Sequence, residues 1–129
     1  MLDHPEIVGG TRDRLDTSLM KAAPGRIVSK GGMEALRGLA LLPGPRPGAG
    51  NGSPPVPASG IALKVEDGDG YERGTWAATV EVLVQAGALD PQAIRMLARY
   101  HRPVSLDPHG RVGAEAMPDF ELAPLGELV

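Results

Sequence analysis

Arg26-Ile27-Val28-Ser29-Lys30-Gly31-Gly32-Met33-Glu34 is a short apolar run that ends in a lysine and two glycines. The β-branched pair Ile27 and Val28 favours an extended chain, and Gly31-Gly32 lets another backbone or a ligand approach where a Cβ would collide. The stretch therefore predicts a strand that delivers Lys30 to the rim of a sheet, placed for chemistry. The plain reading of the same residues is a strand end with a solvated lysine, followed by a turn.

On the N-terminal side, Asp3 to Val8 predicts a short helix, with Asp3 as its cap, Pro5 in the first turn and Gly9-Gly10 as its stop. Asp16 or Thr17 is placed to cap a second helix through Met20 and Ala22, ended by Pro24-Gly25. On the C-terminal side, Ala35 to Leu42 is apolar apart from Arg37 and Gly38 and reads as a second strand; Gly60 to Val65 reads as a third. Between them, ten of the sixteen residues from Pro43 to Ala58 are Pro or Gly. That composition excludes regular structure, so 43–59 is read as a flexible insertion in a hairpin, tolerated because closure entropy grows only logarithmically with length. Thr75 can cap a helix in which Trp76, Val80, Leu83 and Val84 form an apolar stripe and Gly87 is the stop. Asp90-Pro91 opens another, through Ile94, Leu97 and Ala98 to about Tyr100, and Arg102-Pro103 ends it. Beyond Val104 only one short strand, near Arg111 to Ala114, is expected.

A chain of 129 residues with 42% hydrophobic content fits one domain. Its only aromatic residues are Tyr71, Trp76, Tyr100 and Phe120, so burial must come from aliphatic side chains, each worth about 1.5–3 kcal/mol when fully buried. The formal net charge of -3, with signs interspersed, leaves no basic stripe and argues against nucleic acid as a partner. No apolar run approaches the roughly 20 residues that span a bilayer, and Met1 is followed by acidic and polar residues rather than a signal peptide. With no cysteine, disulfides and thiolate ligands are excluded, and cytoplasmic residence is the expectation.

Leu2-Asp3-His4-Pro5, Ile7-Val8-Gly9-Gly10, Arg14-Leu15-Asp16-Thr17-Ser18-Leu19-Met20, the Lys30 stretch and Gly60-Ile61-Ala62-Leu63-Lys64-Val65-Glu66-Asp67-Gly68 follow one another in order. Together they resemble the bacterial L-asparaginase II family, the thermolabile, rhizobial type. The resemblance runs to about Leu89, with a weaker echo in Arg102-Pro103-Val104 and around Gly110-Arg111-Val112. It implies a relative of serine β-lactamases and glutaminases, in which a Ser-x-x-Lys helix supplies nucleophile and base and a Lys-Thr/Ser-Gly strand lines the other wall. Lys30-Gly31-Gly32 matches the second element only. The resemblance thus implies that residues 1–129 are the C-terminal lobe of an asparaginase-like domain. The nucleophile and the cysteines that ligate a metal, possibly zinc, would lie in an N-terminal portion, and no cofactor is expected in this chain.

The implied roles are specific. Lys30 would sustain proton transfer or bind the substrate's carboxylate, with burial beside other lysines tuning it; Gly31 and Gly32 would leave space for L-asparagine; and the N–H of Met33 would be a candidate oxyanion donor. The family's usual Lys-x-Gly-Ala-Glu-Gly run is altered here, with Met33 in place of a small residue and Ala35 in place of the last glycine. Met33 would narrow the pocket, and Ala35 would resist a positive φ if the turn requires one. Glu34 reads as a structural hydrogen-bonding acid.

Other motifs carry less. Ser18-Leu19-Met20-Lys21 fits Ser-x-x-Lys literally, and on a helix those two side chains share a face. It lies nine residues before Lys30, however, where the related enzymes separate the two elements by most of a domain. Glu66-Asp67-Gly68-Asp69-Gly70 is an acidic turn that lacks the later ligands of a calcium loop, and Arg73 breaks the dinucleotide fingerprint. His4, His101 and His109 show no ligand spacing for zinc.

The sequence therefore predicts an α+β layer, a small antiparallel sheet of about three strands packed against helices, which the resemblance implies is a partial serine β-lactamase-like fold. The function the resemblance implies is hydrolysis of L-asparagine to L-aspartate and ammonia, with this portion inactive alone. Homodimerisation or pairing with an N-terminal portion is the expected association. The alternative is a non-catalytic remnant or small interaction module that pairs through an exposed sheet edge.

Overall fold

The computed structural model describes residues 2–66, 68 and 74–125. Its elements are α1 (Pro5–Gly9), α2 (Leu15–Ala22), β1 (Ile27–Gly31), β2 (Leu36–Leu41), β3 (Ser59–Lys64), α3 (Gly74–Gln85), α4 (Pro91–Met96), α5 (Ala98–His101), β4 (Val104–Leu106) and β5 (Val112–Glu115). The fold is α+β, with an antiparallel sheet in the order β1-β2-β3 and a separate β4-β5 hairpin. Lys30 pairs with Gly38, and Gly38 with Ala62, so the strand carrying the lysine is an edge.

Strand alternation divides the three-stranded sheet into two faces. Ile27, Ser29, Arg37, Leu39 and Leu41 turn inward and are buried, whereas Lys30, Gly38, Ala40 and Ala62 turn outward and are exposed. Leu15 and Leu19 of α2, Val80 and Leu83 of α3, and Leu97 and Tyr100 pack against the inner face. Tyr100 is 1% exposed and meets the Trp76 ring edge-on, with centroids 4.8 Å apart. Trp76 and Tyr100 thus meet at the helix junction, and the sheet contributes aliphatic burial.

Some predicted caps are placed differently. His4, not Asp3, stands at the N-cap of α1, and Arg14 at that of α2, neither with a side-chain cap bond. Asp16 and Thr17 lie inside α2, where Thr17 Oγ1 donates to the Gly10 carbonyl at 2.6 Å. Thr75 is likewise within α3 and reaches the Ala35 carbonyl at 3.5 Å. Asp90 does cap α4, accepting the N–H of Ala93 at 2.7 Å, and Gly87 ends α3 with φ +65°. The single helix expected from Asp90 to Tyr100 is broken at Leu97 into α4 and α5, and the single strand expected near Arg111 to Ala114 has a partner in β4.

The Pro/Gly-rich insertion has two anchors. Gly44 and Val56 exchange backbone hydrogen bonds at 3.2 and 2.9 Å, and Val56 enters the core at 3% exposure. Arg46 Nη1 donates to the Ala86 carbonyl at 3.4 Å. In the acidic turn, Asp67, Asp69 and Gly70 lie outside the described residues, as does Tyr71.

Candidate functional site

An open cleft of about 1550 Å³ runs along the edge of β1. One side is Gly9-Gly10 and Arg14 at the α1–α2 junction; the other is Lys30-Gly31-Gly32-Met33; Trp76, Arg99 and Ser105 close the far end. The sequence-predicted residues are therefore brought together with the glycine pair of the N-terminal motif, which is distant from them in the chain.

Beneath the cleft lies a buried ion pair that the sequence reading did not assign. Arg37 Nη1 donates to Asp16 Oδ1, which also accepts from Ser29 Oγ at 2.5 Å; the second oxygen, Oδ2, takes the backbone N–H of Gly31 at 2.8 Å. Arg37 is 2% and Asp16 8% exposed. A charge at such depth is retained only when paired and hydrogen-bonded. Asp16 thus joins α2 to both β1 and β2 directly behind the Lys30 strand. Its capping residue type and the inward register of Arg37 on β2 were the available signals, and neither singles out a partner.

The glycines answer to this arrangement. A Cβ on Gly31 would lie 3.3 Å from Asp16 Oδ2 and 3.4 Å from Arg37 Nη2, so the missing side chain makes room for the ion pair. A Cβ on Gly32 would meet the Leu36 side chain at 3.4 Å. From Met33 to Leu36 the chain makes a tight turn closed by the Leu36 N–H to the Met33 carbonyl at 3.1 Å, with Glu34 at φ +52° and Ala35 at φ +57°. Two successive positive φ values are those of a type I′ hairpin turn, which favours glycine or asparagine. The positive φ weighed for Ala35 is present, and Ala35 carries it.

Lys30 stands at the rim. Its Nζ donates to the Gly31 carbonyl at 2.5 Å, and the residue borders both the cleft and a shallow groove on the outer sheet face with Gly38, Ala40, Gly60 and Ala62. It is exposed in this chain, where the lysines implied beside it in the complete enzyme would come from the N-terminal portion. Met33 is 84% exposed at the mouth.

Ser18 is not beside the cleft. Its Oγ is 2.9 Å from the Tyr100 hydroxyl, which binds it into the helix junction. Ser105 does line the cleft. The residues described do not fit a zinc site: the chain has no cysteine, and no group of three or more His, Asp or Glu is gathered among them. His101 Nε2 instead faces Glu81 Oε2 at 2.7 Å.

Fold and cleft together define an α+β protein whose sheet rim offers a lysine and two glycines to an open, cation-lined cleft. A family model described as L-asparaginase II matches residues 1–117, and the chain belongs to that family. Membership makes it asparaginase-like, a hydrolase family for which asparagine is the implied substrate. No curated protein matches the chain. Among the described residues no helix is long and apolar enough to cross a membrane.

Proposed function

We propose that this chain forms one wall of an L-asparagine amidohydrolase site, as the C-terminal lobe of a serine β-lactamase-like domain working in the cytoplasm. The observation that carries the reading is the convergence of Lys30-Gly31-Gly32-Met33 with Gly9-Gly10 on a single cleft in a member of the L-asparaginase II family. A seryl oxygen supplied from outside this chain attacks the side-chain amide carbon; the C–N bond breaks, ammonia leaves with the seryl proton, and water cleaves the acyl ester to give aspartate. Lys30 relays the proton at its Nζ, while Gly31 and Gly32 form the floor beside the substrate and the Met33 N–H faces the developing oxyanion. Any metal belongs to the other portion.

The chain alone is expected to release no ammonia from L-asparagine. Fusing to its N-terminus the Ser-x-x-Lys portion of a family member should give ammonia release that Lys30→Ala abolishes. Turnover by the unfused chain, or hybrid turnover indifferent to Lys30→Ala, would contradict this division of labour. The exposed outer face of Gly38, Ala40 and Ala62, together with the edge position of β3, favours a second reading as a non-catalytic module that pairs through its sheet edge with another chain or itself. Concentration-dependent size on gel filtration without asparagine binding would favour that reading.

A further inference from the structure

We infer that Arg14 is the specificity-determining residue that recognises the α-carboxylate of the amino-acid amide, an assignment that rests on the asparagine reading above. Four cationic side chains line the cleft: Arg14, Lys30, Arg37 and Arg99. Two are already neutralised within the protein. Arg37 pairs with Asp16, and Arg99 Nη1 lies 2.9 Å from Asp13 Oδ1 while its guanidinium stacks over the Tyr100 ring at 4.5 Å. Arg14 has no carboxylate within ion-pair distance among the described residues, and the Lys30 ammonium rests on a backbone carbonyl. In a chain with a net charge of -3, the cleft therefore concentrates cationic groups that no internal carboxylate answers. Such a site selects an anionic ligand group.

Between the two, the guanidinium suits a carboxylate better, because its planar fork can donate two parallel N–H bonds to two oxygens, whereas an ammonium is a point charge. Gly10 gives it room. A Cβ there would come within 3.2 Å of Arg14 Cγ and 3.3 Å of Nε, so the arginine lies along bare backbone at the cleft wall. Lys30 is left free for the proton that the amide chemistry must move.

The test compares L-asparagine with β-alaninamide, the same molecule without its α-carboxylate, by calorimetric titration of the full chain. The wild type should bind asparagine about 10- to 100-fold more tightly, the range for a hydrogen-bonded charge pair. Arg14→Gln, an exposed change whose unaltered thermal midpoint shows that the fold is kept, should lose that preference, and Arg14→Lys should recover part of it. Preference retained in Arg14→Gln overturns the assignment, as does equal binding of both ligands by the wild type, which leaves the asparagine reading standing. Failure of the wild type to bind asparagine at all overturns both.

Discussion

Asp16 Oδ2 accepts the backbone N–H of Gly31 at 2.8 Å, so a carboxylate from α2 holds the free edge of the strand that carries Lys30. In an antiparallel pair alternate residues turn their N–H and C=O groups away from the partner strand. At Gly31 the side chain of Asp16 takes the place of a further strand, and the buried Arg37 neutralises the charge that makes this possible.

Asp16→Ala should therefore do two things. It leaves the Arg37 guanidinium buried without this carboxylate, which should cost about 3–5 kcal/mol, a large share of a small domain's stability. It also releases the Gly31 amide. Urea unfolding gives the first quantity and hydrogen exchange at Gly31 the second; a loss below about 1 kcal/mol with unchanged Gly31 protection would show that the pair holds nothing in place.

Glu34 is exposed and sits at φ +52°, a conformation that costs a residue with a Cβ about 1–2 kcal/mol. Glu34→Gly should raise stability by about 1 kcal/mol, since glycine adopts this region freely but also loses more freedom on folding. Ala35→Gly should gain less, because Ala35 is 1% exposed and its methyl group contributes to the core. Thermal midpoints of the two variants check the order. A loss of stability in Glu34→Gly would mean that its carboxylate has a role worth more than the turn strain.

Hydrogen bonds from Gln85 first, and then from His101, hold the Glu81 carboxyl below the usual carboxylate range. The same Gln85 amide donates to the Phe120 carbonyl at 2.8 Å and accepts from the Leu122 N–H at 2.7 Å, so Glu81 orients the group that fastens the C-terminal tail. A carboxyl with a depressed folded pKa adds stability that is fully present above its unfolded pKa and is lost as pH falls through the folded one. The stability difference between wild type and Glu81→Gln should thus be largest near neutrality and shrink below about pH 4. Chemical denaturation across that range measures it, and a difference constant with pH would exclude an ionised Glu81 as the cause.

Much of this architecture was legible from local chemistry. Ile27-Val28, the apolar run from Ala35 to Leu42, and the punctuation by Gly9-Gly10, Pro24-Gly25 and Gly87 report backbone preferences that act over a few residues. The ion pair was not legible. Asp16 is as good a cap as it is a buried partner, and Arg37 in a strand reads as an interruption until the fold puts a carboxylate opposite it. The break at Leu97 and the pairing of Val104–Leu106 with Val112–Glu115 likewise depend on contacts with other segments, which no window of sequence contains. Arg14 was visible only as part of a resemblance; its significance comes from which neighbouring cations are already paired.

A heteronuclear NMR titration of the isotope-labelled chain with L-asparagine shows whether the cleft at the β1 edge takes the ligand. Saturable shifts are expected at the amides of Gly9, Gly10, Arg14, Gly31 and Gly32, with little change at Gly38, Gly60 and Ala62 on the outer sheet face. No saturable shifts at the cleft, or shifts confined to the outer face, would contradict the cleft as the asparagine site.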